Sequence, residues 1–151
     1  MVLYLPDEHC QCMERQGETT YPHEGCGLLL GRLGERNVQV TEVWAVDNVR
    51  EDSRHSRYRI APEDVLNAER RAEAQGLDLV GFFHSHPDAP PEPSEYDLDQ
   101  ASWPGFAYVI VSVRSGQAVD VRAWTLSPDR TRFDEMTLKA SSMPHKGGVR
   151  P

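Results

Sequence analysis

No stretch of this sequence approaches the roughly 18 to 20 consecutive apolar residues that a membrane-crossing helix needs, so a helical membrane protein is excluded. The first ten residues, Met1 to Cys10, carry neither the basic flank nor the apolar run of a secretion signal, and the expected compartment is the cytoplasm. Cysteine is scarce: there are three, an odd number, and Cys10 and Cys12 stand one residue apart. A disulfide framework is therefore not expected in a reducing compartment. Positive charge is also short, with 16 Lys and Arg against 24 Asp and Glu, a net charge of −8, and nearly all the basic residues are arginine. Such a field repels phosphates, which argues against nonspecific nucleic-acid binding.

What is present is enough for one domain. At 151 residues a single core buries roughly 68 to 70 % of the surface that the unfolded chain exposes, whereas two domains would each be starved. Pro6 and Asp7 open a first helix that should run to about Gln16, followed by a turn-like stretch from Gly17 to Pro22. Cys26 to Leu33 is a short apolar run bounded by glycines, the pattern of a buried strand. Gly34 to Asn37 reads as a hairpin turn, and Val38 to Val46 alternates as a half-buried strand does. Arg57 to Ile60 reads as another short strand, and Pro62, Glu63 and Asp64 open a second helix that Gly76 closes. Leu77 to His86 is an apolar strand whose far end turns polar. The prolines from Pro87 to Pro93 force a loop, and Ser94 caps a short helix reaching about Ser102. Phe106 to Val113, Val119 to Leu126 and Arg132 to Leu138 are the remaining predicted strands. This order of elements predicts an α/β domain with a mixed sheet rather than a regularly alternating parallel one.

The chemistry sits at the end of the strand Leu77 to His86. Successive strand side chains point to opposite faces, so His84 and His86 project together while Ser85 points the other way. Two imidazoles so placed can share a metal, and catalytic zinc typically takes three protein ligands plus water. Asp97, in the first turn of the next helix, is well placed as the third. Seven residues separate His86 from Ser94 and two separate Ser94 from Asp97, and the loop prolines reduce the entropy lost when strand end and helix start are held together. Alone, SerXaaXaaAsp is an ordinary capped helix start, and HisXaaHis alone is an ordinary strand end. Neither explains the other, and their joint spacing is what favours a metal site.

Joined in this way, with Glu24 upstream in the run His23 to Gly31, these residues resemble the JAMM metalloproteases, also called MPN+ or Mov34/PAD-1 domains, of the small stand-alone bacterial type. The resemblance runs from the first helix to about Leu138. It implies one domain over residues 1–140; outside it, 141–151 is polar, small or Pro/Gly in composition and reads as a disordered tail. It implies a central mixed β-sheet flanked by helices, in a cytidine-deaminase-like architecture. It further implies one zinc ion per chain held by His84, His86 and Asp97, with Glu24 as the general base acting on the attacking water and Ser94 stabilising the oxyanion. The implied activity is that of a zinc peptidase or isopeptidase, and the implied partner is the tail of a ubiquitin-like β-grasp sulfur-carrier protein, or a similar peptide, adding to a strand edge near the site.

Two other readings stand beside it: a non-catalytic protein-binding scaffold of the MPN type, which usually lacks some of the ligands retained here, and a DNA-repair-associated JAMM-like hydrolase, which the acidic charge disfavours. A deaminase is excluded, because HisXaaGlu followed by ProCysXaaXaaCys is absent. Cys26 lies in an apolar run and reads as core. Arg50, Arg54, Arg57 and Arg59 form a basic cluster that is either a solvated face or a receiver for a substrate carboxylate, which arginine matches in a bidentate way.

Overall fold

Most of the apolar residues come in short runs of strand length, and strands accordingly dominate. The computed structural model describes residues 1–142, so most of the predicted tail, from residue 143 onward, lies outside the described residues. The elements are β1 (Val2–Tyr4), α1 (Asp7–Thr20), β2 (Cys26–Leu33), β3 (Asn37–Val46), α2 (Pro62–Ala74), β4 (Asp78–Pro87), α3 (Glu95–Gln100), β5 (Ala107–Arg114), β6 (Gln117–Leu126) and β7 (Phe133–Lys139). The fold is α/β, with a mixed sheet in the order β1-β3-β2-β4-β5-β6-β7. β4 and β5 are parallel, joined by the crossover that contains α3. No helix among the described residues is long and apolar enough to cross a membrane.

The sheet curls until its ends meet through β1, which pairs in parallel with β3 on one side and β7 on the other. Three residues ahead of Pro6 show no periodicity, so this strand is invisible in the sequence; long-range pairing alone creates it. Within the curl lies α1, whose Met13 is buried among Leu3, Leu29, Val38, Phe83, Val111 and Met136. On the opposite face α2 packs Ala68 and Ala72 over Leu28, Leu30 and Leu79. A register shift lets one sheet serve both layers. Leu29 pairs with Gly81 but Leu30 with Leu79, so Val80 is the extra residue of a β-bulge. Leu79 and Phe82, three apart, thereby share the α2 face, and ordinary alternation beyond the bulge puts His84 and His86 on that face as well.

α1 runs about one turn past the predicted end. Gly17 does not break it; a Cβ there would stand 3.0 Å from Ser85 Cβ and from Val113 Cγ2, so the glycine serves close helix-to-sheet packing. The predicted strand Arg57 to Ile60 does not form. Its backbone is held instead by Val49, whose N–H donates to Arg59 O (3.0 Å), and by the Asn48 side chain. α3 is shorter than predicted, ending at Gln100 with Ala101 already in extended backbone.

At Gly81 the backbone of β5 comes close to β4. A Cβ there would lie 2.1 Å from the carbonyl oxygen of Ala107, a backbone atom that no rotamer change can move. Gly81→Ala is expected to lower the midpoint of urea unfolding by an amount equivalent to about 1–3 kcal/mol, the usual cost of overpacking; an unchanged midpoint would show that the strands can part without loss.

Candidate metal centre

Parallel strands in α/β sheets present their carboxyl ends to ligands, and the polar end of β4 lies beside β5 at such a place. His84 neighbours Cys26 on β2 and Ile110 on β5. Its ring and that of His86 emerge together, while Ser85 turns to the α1 side and accepts a hydrogen bond from the Gly25 N–H (2.7 Å). The β2–β4 pairing continues past Cys26, with the Ser85 N–H donating to Gly25 O at 3.0 Å, which sets Glu24 across from His86. The predicted residues are thus brought to one end of the sheet by a register that the bulge and the glycines fix.

The two imidazole Nε2 atoms lie 3.1 Å apart, and Asp97 Oδ2 stands 3.2 Å from His84 Nε2 and 3.1 Å from His86 Nε2. All three residues are nearly excluded from water, at 3 %, 6 % and 9 % exposure. A single proton satisfies one edge of this triangle and leaves the others unsatisfied; a cation at its centre satisfies all three. Arms of about 2.0 Å in tetrahedral geometry place donor atoms on the order of 3.3 Å apart, close to the observed edges. The donor set of two neutral nitrogens and one carboxylate oxygen therefore fits a divalent ion such as zinc.

The surroundings orient these donors. His86 Nδ1–H donates to Pro90 O (2.8 Å), which directs its Nε2 lone pair at the triangle. The loop carrying Pro90 is itself fastened: Ser112 Oγ–H donates to Ala89 O (2.6 Å) and Trp124 Nε1–H to Pro91 O (3.0 Å). Asp97 is set by a capping box in which Ser94 Oγ accepts from Asp97 N–H (3.0 Å) and Asp97 Oδ2 accepts from Ser94 N–H (2.9 Å). Burial opposes ionisation of Asp97, but the charge of His84 and the hydrogen bonds from both imidazoles and from the Ser94 N–H hold its carboxyl well below the usual carboxylate range. For His86 burial acts downward, and the hydrogen bonds to Asp97 and Pro90 O prevail and raise it.

Glu24 is 2 % exposed, and its Oε1 has no hydrogen-bond partner among the described residues. Burial pushes its carboxyl up from 4.5 to about 7, against the opposing pull of His84 and His86. Its backbone is secured on both sides, the N–H donating to Arg54 O (2.6 Å) and the carbonyl accepting from Asn48 Nδ2 (3.1 Å). Ser94 is exposed, and its lone pair is committed to the α3 cap while its O–H remains available to donate.

Sequence reasoning missed three contributors. Tyr58 stacks on His84 with ring centroids 4.6 Å apart and planes 20° from parallel; it lies in the segment read as a strand, with no spacing to mark it. Asn48 ties Glu24 O to Arg57 O (both 3.1 Å). Tyr96, adjacent to Asp97, is gripped by two members of the arginine cluster: Arg50 Nη1 donates to its hydroxyl (2.6 Å), and the Arg57 guanidinium lies 4.2 Å from its ring centroid. Arg50 and Arg57 thus fasten the loop between β3 and α2 to α3.

The chain is similar to known proteins. Among curated relatives, a desampylase from Haloferax volcanii is 42 % identical over 91 residues, covering 60 % of this chain and 63 % of that one. A probable TtuB-protein conjugate cleaving protease from Thermus thermophilus is 33 % identical over 103 residues, covering 68 % and 66 %. A CysO-cysteine peptidase from Mycobacterium tuberculosis is 26 % identical over 129 residues, covering 83 % of each. The chain thus spans slightly less than two thirds of the length of the first two. Among solved structures, a protein from Salinibacter ruber is 38 % identical with a TM-score of 0.70 over 99 % of both chains. One from Desulfitobacterium hafniense is 25 % identical with a TM-score of 0.80 over 100 % of both. A JAB1/MPN domain protein from Archaeoglobus fulgidus, 16 % identical with a TM-score of 0.55 over 89 % of this chain and 97 % of its own, shares the fold. The family described as prokaryotic homologs of the JAB domain matches residues 6–127, the stretch that holds Glu24, His84, His86, Ser94 and Asp97, and this chain belongs to it.

Proposed function

We propose that the chain is a zinc-dependent peptidase or isopeptidase that hydrolyses an amide bond at the C-terminal tail of a ubiquitin-like β-grasp sulfur-carrier protein or a similar peptide. The observation that carries this reading is the convergence of His84, His86 and Asp97 on one point with the buried Glu24 carboxylate, whose Oε1 has no hydrogen-bond partner among the described residues, across the strand pairing from them. It is supported by relatives named for cleaving such conjugates.

His84, His86 and Asp97 would hold the ion, which supplies a Lewis acid that polarises the scissile carbonyl and acidifies water. The remaining work falls to the chain's own groups. Glu24, poised near 7 by burial, takes a proton from the attacking water and delivers it to the departing amine, as a base matched to neutral pH does best. The Ser94 O–H, not needed by the helix cap, donates to the developing oxyanion. The Tyr58 ring, flat against His84, holds that imidazole in plane and keeps water from one of its faces.

An extended tail has a sheet edge within reach. β1 covers β3 only at Asn37–Gln39, leaving the length toward Val46 available for backbone pairing. Val46 is paired with Cys26, and Cys26 with His84, so this edge ends two strand spacings, roughly 10 Å, from the metal ligands. The deciding experiment incubates the zinc-loaded protein with a β-grasp carrier bearing a C-terminal adduct and follows the released carrier by mass. Release of the intact carrier with a free C-terminus is expected; no release by protein with zinc bound would overturn the reading.

A further inference from the structure

Next to the metal ligands, on the same face of the sheet, lies a pocket of about 240 Å³. Its position follows from strand alternation. Phe82 is two residues behind His84 on β4, and Tyr108 and Ile110 are the β5 neighbours of Phe82 and His84; all line the pocket, which His84 and Asp97 border. Trp103, tilted toward Phe82 with centroids 6.2 Å apart, and Ile60 extend the apolar lining. Two residues along a strand cover roughly 7 Å, so a group reacting beside His84 has its immediate neighbour within reach of Phe82 and Tyr108. The volume falls below the roughly 300 to 1,000 Å³ of pockets that hold drug-sized ligands, and suits one amino acid rather than a peptide segment.

The lining also carries one cation. Arg59 borders the pocket; its backbone N–H is bound to Asn48 Oδ1, and its guanidinium has no hydrogen-bond or ion-pair partner among the described residues. This distinguishes it from Arg50 and Arg57, which are engaged with Tyr96. Asp97, the only carboxylate among the described residues of the lining, already faces the two imidazoles. An apolar cavity with an unengaged guanidinium on its wall is complementary to a ligand with an apolar body and a carboxylate.

We propose that this pocket receives the amino acid released by the reaction: a single C-terminal residue with a large apolar side chain set among Phe82, Tyr108 and Trp103 and its α-carboxylate on Arg59. The inference rests on the peptidase reading and sharpens it, assigning the preferred scissile bond to an α-linked terminal residue in place of a lysine side-chain linkage. In the step, the C–N bond breaks, the water oxygen remains on the acyl carbon as carboxylate, and the proton carried by Glu24 goes to the departing α-amine, so the products are a shortened tail and a free amino acid.

The test measures binding and cleavage separately on the zinc-loaded full chain. L-phenylalanine, L-leucine, L-serine and L-phenylalaninamide are titrated by calorimetry against the wild type and against Arg59→Ala, an exposed position whose replacement leaves the core untouched. Phenylalanine and leucine are expected to bind at least about tenfold tighter than serine, as an apolar pocket discriminates. Phenylalaninamide is expected to bind about tenfold weaker than phenylalanine, with that difference lost in Arg59→Ala. Equal binding of phenylalanine and serine, or of acid and amide by the wild type, overturns the proposal, as does absence of binding. In parallel, β-grasp carriers ending in phenylalanine, in serine or in a lysine-linked peptide are offered as substrates. Cleavage without preference for terminal phenylalanine overturns the pocket assignment and leaves the peptidase standing; selective binding without cleavage of any carrier supports the pocket and overturns the peptidase.

Discussion

Glu24→Gln is expected to lower turnover about 10²- to 10⁴-fold, the usual worth of a positioned general base, while making the metal-free protein more stable at alkaline pH. Both effects come from one fact: a carboxylate that is 2 % exposed and has no hydrogen-bond partner for Oε1 among the described residues. Burial raises its folded-state value from 4.5 to about 7. Below pH 4.5 the folded and unfolded chains both carry the proton, and the native state meets no penalty from this group. As the pH rises past 4.5 the unfolded chain gives the proton up freely, whereas the folded one keeps it until about 7 and then must bury a charge. The contribution present in acid is therefore lost on going to alkaline solution, and the loss amounts to about 3 kcal/mol when complete. Glutamine has no proton to lose and removes this slope. Urea unfolding of metal-free wild type and variant from pH 4 to pH 8.5 checks it: the two curves should diverge with rising pH in favour of the variant. Parallel curves would mean that Glu24 does not titrate near neutrality, and its role as base would fall with them.

Asp97 carries the second large effect, because one oxygen, Oδ2, meets both imidazoles and the Ser94 N–H. Asp97→Asn leaves an acceptor for the helix cap but removes the negative charge from the triangle; Asp97→Ala removes both. Zinc affinity, read by competition with a chelating dye, is expected to fall in both variants by more than about 100-fold, beyond what the loss of a group that merely steadies a ligand costs. Stability should separate them, since the alanine variant additionally loses a cap interaction worth about 1 kcal/mol. Retention of wild-type zinc affinity by Asp97→Asn would exclude this carboxylate as a ligand.

The portions of the site legible in the sequence are those built by local periodicity. Strand alternation put His84 and His86 on one face, and the structure finds them there; the Ser94 and Asp97 spacing is a helix-start pattern, and it forms the capping box. The mixed α/β sheet followed likewise from the order of apolar runs. The rest depends on contacts between segments far apart in the chain, to which period and propensity are blind. β1 is a strand only because β3 and β7 flank it. Gly17, which resembles a helix breaker, is instead a packing residue of α1 whose reason is Ser85, on β4. Tyr58 and Tyr96 owe their places to a loop without regular structure, held by Asn48 and two arginines, and nothing in the residues around them distinguishes that loop from a solvated one.

The closure made by β1 has a consequence for how the chain reaches this state. Val2 and Thr137 are partners in the same ladder, so β1 waits for a neighbour, β7, that is synthesised much later in the chain. Until β7 has been made, the nascent chain holds a nearly complete ring with a gap in it, and β1 and β6, the two strands that β7 joins, present unpaired amides to whatever is nearby. Neighbouring nascent copies on one message are the most available source of a substitute strand, and the brevity of β1, three residues long, limits how firmly any such substitute can be held.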